Sequence, residues 1–225
     1  MKLKLNAVNL GATSSSADII FEALREAIVE GTMQDGDLLR QDQIATMFNV
    51  SRIPVREALA RLEEQGLITN QRYKGAVVSS LSLDEISELF EFRALLESDV
   101  IRRAVERISD KTLEEAKDFA AQFARETDSN QWGRLNQQFH YTLYKDSNRP
   151  YHLQVISKAL DNVGRYLRAQ LVLTSGIDRA RRQHAGILEA AIDRDAEAAA
   201  ALTRDHILGA SQSLIEFLEV EREKK

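Results

Sequence analysis

Cysteine is absent from this chain, which excludes disulfides and thiolate metal centres and leaves His, Asp, Glu and Asn as the side chains able to hold an ion. That lack suits a cytoplasmic protein. There is also no run of about 18 apolar residues, the length a membrane-spanning helix requires. The start, Met1 to Leu10, carries Lys2 and Lys4 but no continuous apolar stretch and no small-residue cleavage site. These absences predict a soluble, unexported chain with no membrane partner. Positive charge is short as well: the formal net charge is −5, which excludes a protein that coats nucleic acid through a broad basic surface. Any contact with DNA must be local. One segment is suited to it, because Arg52 to Lys74 holds five basic residues against three acids, whereas the rest of the chain holds 25 and 32.

What is present is enough apolar material, 44% of 225 residues, to give each of two modest domains its own core. Residues 1–13 show no periodicity and read as a loose arm. Ser14 to Ser16 then offers an N-cap for a helix to about Glu30, with Ile19, Ile20, Ala23, Leu24, Ala27 and Ile28 on its apolar face and Gly31 at its end. After a turn at Gln34 to Asp37, a short helix covers 41–48. Another starts beyond Ser51, with Pro54 in its first turn, where a missing N–H costs nothing. Gly66 closes it, and the β-prone runs 67–69 and 76–78 flank a polar tip from Asn70 to Gly75. Three helices and a hairpin predict a winged helix-turn-helix over residues 14–80. Beyond it the sole proline is Pro150, and six long helices are expected at 83–107, 111–126, 131–146, 151–173, 177–192 and 196–221. Their short connections make neighbours antiparallel. The fold class is therefore mainly α, with residues 81–225 forming an all-α antiparallel bundle.

In the segment from Gln43 to Ile68, Ile44, Ala45, Val50, Val55, Ala58, Leu59 and Leu62 are placed to pack two helices together. Ser51, Arg52 and Arg56 are left on the exposed N-terminal face of the second. An arginine fork there can bond guanine O6 and N7 together, and Ser51 with the helix N-terminus can bind a phosphate. The alternative is that the two arginines only solvate a surface helix, but the surrounding turn and wing favour DNA. The run Val50-Ser51-Arg52-Ile53-Pro54-Val55-Arg56-Glu57-Ala58-Leu59, followed by Leu62-Glu63 and Gly66-Leu67-Ile68, resembles the GntR family of bacterial regulators, in the FadR-like subgroup whose C-terminal domain is called FCD. The resemblance implies that Gly75 at the wing enters the minor groove with Lys74 beside it. Many similar regulators have a DNA-contacting Arg in the helix before the turn. Asp42 stands there in this sequence, with Arg40 two residues earlier as a candidate contact.

Three of the four histidines, His140, His184 and His206, fall where helix geometry can join them. The last two lie about 11 residues, roughly 16 Å, on either side of the turn at Asp193 to Asp195, so antiparallel pairing puts them at one level. Asn136 and His140 are four apart and share a helix face. Together they form a ligand set suited to Zn²⁺ or Ni²⁺ with positions left open. Spacing alone is equally compatible with three unrelated histidines. Similarity to FCD domains favours the site, since these typically carry an Asp or Asn four residues before a His and two further His on the last helices. Asn136 stands where Asp is commoner, which removes a negative charge and favours an anionic effector at the open positions. Arg93 resembles the first-helix arginine that faces the FCD chamber and could grip a carboxylate bidentately. Its alternative role is a salt bridge to Glu97, one turn on.

The sequence reading is thus a cytoplasmic, homodimeric transcriptional regulator, a repressor or activator. It binds an inverted-repeat operator in double-stranded DNA under the control of a small organic acid held near a divalent metal. It is not an enzyme. A direct metal sensor is the main alternative. A metal-dependent hydrolase is disfavoured because no acid neighbours His140 in sequence and Glu189 lies more than a turn beyond His184.

Overall fold

Ser15 shows how local chemistry sets the first element: its hydroxyl accepts from the Asp18 backbone N–H, and the Asp18 carboxylate accepts from the Ser15 N–H in return. The helix so started, α1 (Ser16–Val29), is the first element of a computed structural model that describes residues 15–173 and 176–223. The expected arm at 1–13 lies outside the described residues. α1 buries Ala17, Ile20, Phe21, Leu24 and Ile28. Ile19, expected on the apolar face, is instead 53% exposed, because the buried stripe follows positions 17, 20/21, 24 and 28 and Ile19 falls beside it.

Two helices follow, α2 (Gln41–Met47) and α3 (Arg52–Glu64). The turn between them places Asn49 at φ +53°, a left-handed conformation that Asn tolerates better than most residues. Gly66, at φ +78°, lets the chain leave α3 and enter an antiparallel hairpin of β1 (Ile68–Gln71) and β2 (Gly75–Val78). The expected polar tip is shorter than the sequence suggested, since Asn70 and Gln71 pair with Ala76 and Gly75 and extend the ladder. Ile20, Leu24 and Ile28 meet Ile44, Val55, Leu59, Leu62, Ile68 and Val78 in one core. Val50 packs half-buried against it.

The described residues divide into two compact units, one made of those up to 28 together with 33–79 and the other of 29–32 together with those from 80 onward. The second is helical: α4 (Leu83–Val105), α5 (Asp110–Arg125), α6 (Ser129–Tyr144), α7 (Pro150–Leu173), α8 (Gly176–Ile192) and α9 (Ala196–Glu223). Helix α6 stops short of its expected end because residues 145–147 form a 3-10 turn and Asn148 reverses the chain at φ +55°. Among the described residues no helix is long and apolar enough to cross a membrane. Helix α4 lies along α9, with Phe90 and Ala94 against Ile207, Ala210 and Leu214. A second cluster joins Ile101, Phe139, Leu143, Ile156 and Ile187, and a third joins Phe123, Leu135 and Leu171.

The α8–α9 hairpin that carries two of the histidines turns at Arg194, whose φ is +58° and whose guanidinium donates to the Ile108 carbonyl at 2.7 Å. Asp195 then caps α9 by accepting from the Ala198 N–H at 2.9 Å. Asp195→Ala should lower stability by about 1 kcal/mol, seen as a reduced urea midpoint by circular dichroism. An unchanged midpoint would show that the cap contributes nothing.

Candidate functional site

In the first unit, α3 turns Val55, Ala58, Leu59 and Leu62 inward and leaves Ser51, Arg52 and Arg56 exposed. Ser51 occupies the N-cap position in extended conformation, and its hydroxyl makes no capping bond, so it does not satisfy the first-turn N–H groups. The Arg52 guanidinium pairs with Asp42 of α2, with side chains 67% and 66% exposed. A pair so open to water contributes only about 0–1 kcal/mol and yields readily to a competing anion. Arg40 is exposed at the N-cap of α2, and Lys74 and Gly75 are exposed at the wing. Gly75 sits at φ +90°, a conformation that strains any side chain. Sequence reasoning passed over Tyr73, which is 93% exposed at the same tip with the Arg72 guanidinium over its ring. An aromatic inside a polar turn was the available signal.

In the helical unit, His140 from α6, His184 from α8 and His206 from α9 converge. Each is buried, and one ligand atom from each lies within 4.8 Å of the others. His140 Nε2 and His206 Nε2 face each other at 3.2 Å. His184 stacks on Phe139, ring centroids 4.4 Å apart, and neither of its ring nitrogens has a hydrogen-bond partner among the described residues. Two unsatisfied nitrogens in a buried imidazole are costly unless something else binds them, and three such rings suit a borderline divalent ion. Asn136 lines the adjoining cavity together with Arg93, Arg179, Gln183 and His206. That cavity has room for about one water-sized occupant, ≈ 20 Å³. His152 stands apart from the cluster.

Arg93 takes the ion-pair role with Glu97. Its Nε donates to Glu97 Oε1 at 2.7 Å in a buried ion pair, while its Nη1 is buried without a partner among the described residues. The other Glu97 oxygen accepts from the Tyr144 hydroxyl at 2.9 Å, and that hydroxyl lies 3.3 Å from His140 Nδ1. No acid stands beside His140 in sequence, and in space Glu97 of α4 reaches it only through Tyr144. Glu97 was named only as a partner for Arg93, and Tyr144 was missed; it stands four residues after His140, and that spacing was the signal.

The profile described as "Bacterial regulatory proteins, gntR family" matches residues 16–78, and the FCD domain profile matches residues 88–209. The chain belongs to the GntR family, with an FCD domain. This GntR-family chain is 28% identical over 196 residues to the HTH-type transcriptional repressor GlaR of Escherichia coli, covering 82% of this chain and 89% of that one. It is 41% identical over 96 residues to the gluconate operon transcriptional repressor of Bacillus subtilis, covering 43% and 39%. A solved GntR-family regulator from Pseudomonas syringae pv. tomato shares 32% identity over 92% of this chain and 88% of its own, with a TM-score of 0.60. A putative GntR regulator from Rhodococcus has the same fold, with a TM-score of 0.79 at 22% identity, covering 90% and 99%. The GntR-family protein is a DNA-binding transcriptional regulator and not an enzyme.

Burial holds His140 and His184 well below the usual value of 6.5, aided at His140 by the neighbouring His184, His206 and Arg93. Burial, with Arg93 and Arg179, pushes His206 down to about 3. All three are neutral when folded but protonate near 6.5 once unfolded, so the unfolded chain binds more protons below that pH. Stability then rises with pH between about 3 and 6.5 and is lost as pH falls through that window. Metal-free protein should lose up to about 1.4 kcal/mol per pH unit for each histidine below pH 6.5. Urea midpoints that stay level from pH 6.5 to 5 would refute the burial of neutral imidazoles.

Proposed function

We propose that the protein is a homodimeric repressor whose paired heads bind an inverted-repeat operator. In this reading its helical unit holds a divalent ion, Zn²⁺ or Ni²⁺, through His140, His184 and His206, with Asn136 assisting. A small organic acid binds beside the ion, gripped by the free Nη1 of Arg93, and changes operator affinity because it binds one arrangement of the dimer more tightly than the other. Repression is inferred from relatives named repressors.

The observation that carries the metal reading is the set of buried ring nitrogens. Two imidazole nitrogens on a tetrahedral Zn²⁺, each about 2.0–2.1 Å from it, stand about 3.3 Å apart, and His140 Nε2 and His206 Nε2 are 3.2 Å apart. The unpartnered nitrogens of His184 supply a third ligand. When bound, the ion offers open coordination positions to a carboxylate oxygen. Direct metal sensing is the second reading, favoured by a cavity that holds little more than one water-sized occupant. Operator affinity titrated with Zn²⁺, with and without candidate acids, separates the two. Metal alone sets the affinity in a sensor, and the acid sets it in an effector-controlled regulator.

Metal-free protein reconstituted with Zn²⁺ should bind one ion per chain by elemental analysis, and the double substitution of His184 and His206 to Ala should abolish it. Failure of the wild type to bind removes the metal from the account.

In the head, Arg52→Ala or Arg56→Ala should weaken operator binding by about 1–3 kcal/mol if the side chain reads a base, at normal thermal stability. Unchanged affinity in both variants at matched salt would remove α3 as the reading helix.

A further inference from the structure

The three histidines differ in what stands behind them. His184 stacks on Phe139 and meets the tilted ring of Phe123, with centroids 4.4 and 4.7 Å away. His140 and His206 are each held by a hydrogen bond at Nδ1, and the chemistry of those two bonds decides where the ring proton resides. Behind His140, the Tyr144 hydroxyl has one proton, and it goes to Glu97 Oε2 at 2.9 Å, since a carboxylate can only accept. Toward His140 Nδ1, 3.3 Å away, the phenolic oxygen is therefore left as an acceptor. Glu97 is kept in that role by Arg93, which donates to its other oxygen. Behind His206, the Nδ1 atom meets the Gln183 side-chain oxygen at 2.9 Å, again an acceptor.

We propose that Tyr144, backed by Glu97, and Gln183 are positioning residues that hold His140 and His206 in their Nδ1–H tautomers, so that both Nε2 lone pairs point at one another across the cluster. A neutral imidazole carries one ring proton, so an Nδ1–H leaves Nε2 bare. Two bare nitrogens 3.2 Å apart repel each other and make no hydrogen bond, and a cation between them relieves both. The protein thus builds its cation preference from groups that never touch the ion, as histidine ligands commonly require of the group behind them. The inference rests on the metal reading above and adds two residue types, a phenol and an amide, that set its strength.

The groups also differ in how securely they select the tautomer. Tyr144 is locked, because its proton is committed to a buried carboxylate. Gln183 is half-buried and an amide, so rotation of its end group by half a turn would present N–H to His206 and select the opposite tautomer. Gln183→Glu removes that choice, since a carboxylate can only accept.

Two measurements on the full-length chain test the proposal. Long-range ¹H–¹⁵N NMR of the metal-free protein reads each tautomer directly, and competition with a chromogenic chelator gives the Zn²⁺ affinity. The expected wild-type result is Nδ1–H at both His140 and His206. Tyr144→Phe keeps the ring and its packing but should lose that preference at His140 and bind Zn²⁺ about 10–100-fold more weakly. Gln183→Leu should do the same at His206, while Gln183→Glu should restore affinity to the wild-type level or above it. A merely structural role would not produce that rescue. An Nε2–H signal at either histidine in the wild type overturns the proposal, as does Zn²⁺ affinity unchanged in both Tyr144→Phe and Gln183→Leu. Wild-type protein that takes up no Zn²⁺ overturns the metal reading itself, so the two failures are told apart.

Discussion

Burying three neutral imidazoles side by side is the constraint around which the helical unit is organised. An imidazole removed from water must have its nitrogens satisfied or lose free energy for each that is not. Here the demand reaches most of the bundle. Helix α6 supplies His140 and Tyr144, α8 supplies His184 and Gln183, α9 supplies His206, and α4 supplies Glu97 behind the tyrosine. The rings of Phe123 and Phe139 pack against the buried His184. The apolar clusters surround this centre and hold four helix faces to a common level, which is what brings residues so distant in sequence within bonding distance.

The ion pair between Arg93 and Glu97 follows from the same constraint. A buried pair is weak evidence for stability in its own right, because an apolar replacement often serves as well, whereas removal of one partner strands a buried charge. Its retention is better understood through what each member does next. Glu97 spends its second oxygen on Tyr144, and Arg93, which is among the residues lining the cavity, keeps a buried Nη1 without a partner among the described residues. One pair therefore links the group behind His140 to the wall where an anion would be received. An arginine in water would offer nothing comparable, since its charge would be screened and its geometry unfixed.

Periodicity carried the helices well. The six of the second unit were legible because each has an apolar stripe, short polar connections and no internal proline, and the hairpin was legible from its β-branched run and Gly75. The errors came where local pattern and tertiary choice part. Ile19 is apolar yet exposed because the stripe of α1 is narrower than its apolar content, and Asn70 and Gln71 extend a strand because pairing outweighs their turn preference. At the site, spacing predicted a common level for His184 and His206 but left three unrelated histidines equally open, and it is the fold that brings His140 to the other two. The groups behind them were not legible, since nothing in a one-dimensional pattern says that Glu97 of α4 meets Tyr144 of α6. That hydrogen bond arises only from how those helices cross, whereas the Arg93–Glu97 pair, one turn apart on α4, was legible from spacing.

The size of the cavity bears on how an effector could act at all. The cavity, ≈ 20 Å³, has room for about one water-sized occupant with its walls in place, less than a carboxylic acid needs. An acid that binds beside Arg93 must therefore displace its walls, which come from α4, α6, α7, α8 and α9. Packed helices do not deform continuously: side chains interdigitate at near-crystalline density and pass between discrete arrangements. The free energy of opening is then charged against the acid's affinity, and a state already opened would bind it more tightly by that same amount. Linkage makes the relation reciprocal, so whatever stabilises the closed bundle must weaken the acid, and the acid must destabilise whatever depends on the closed bundle. A roomy preformed pocket would bind the same acid more tightly and transmit less. The tightness of the packing around Arg93, His206 and Gln183 is in this sense the source of any coupling, since a ligand that fits without displacement has no difference between states to exploit.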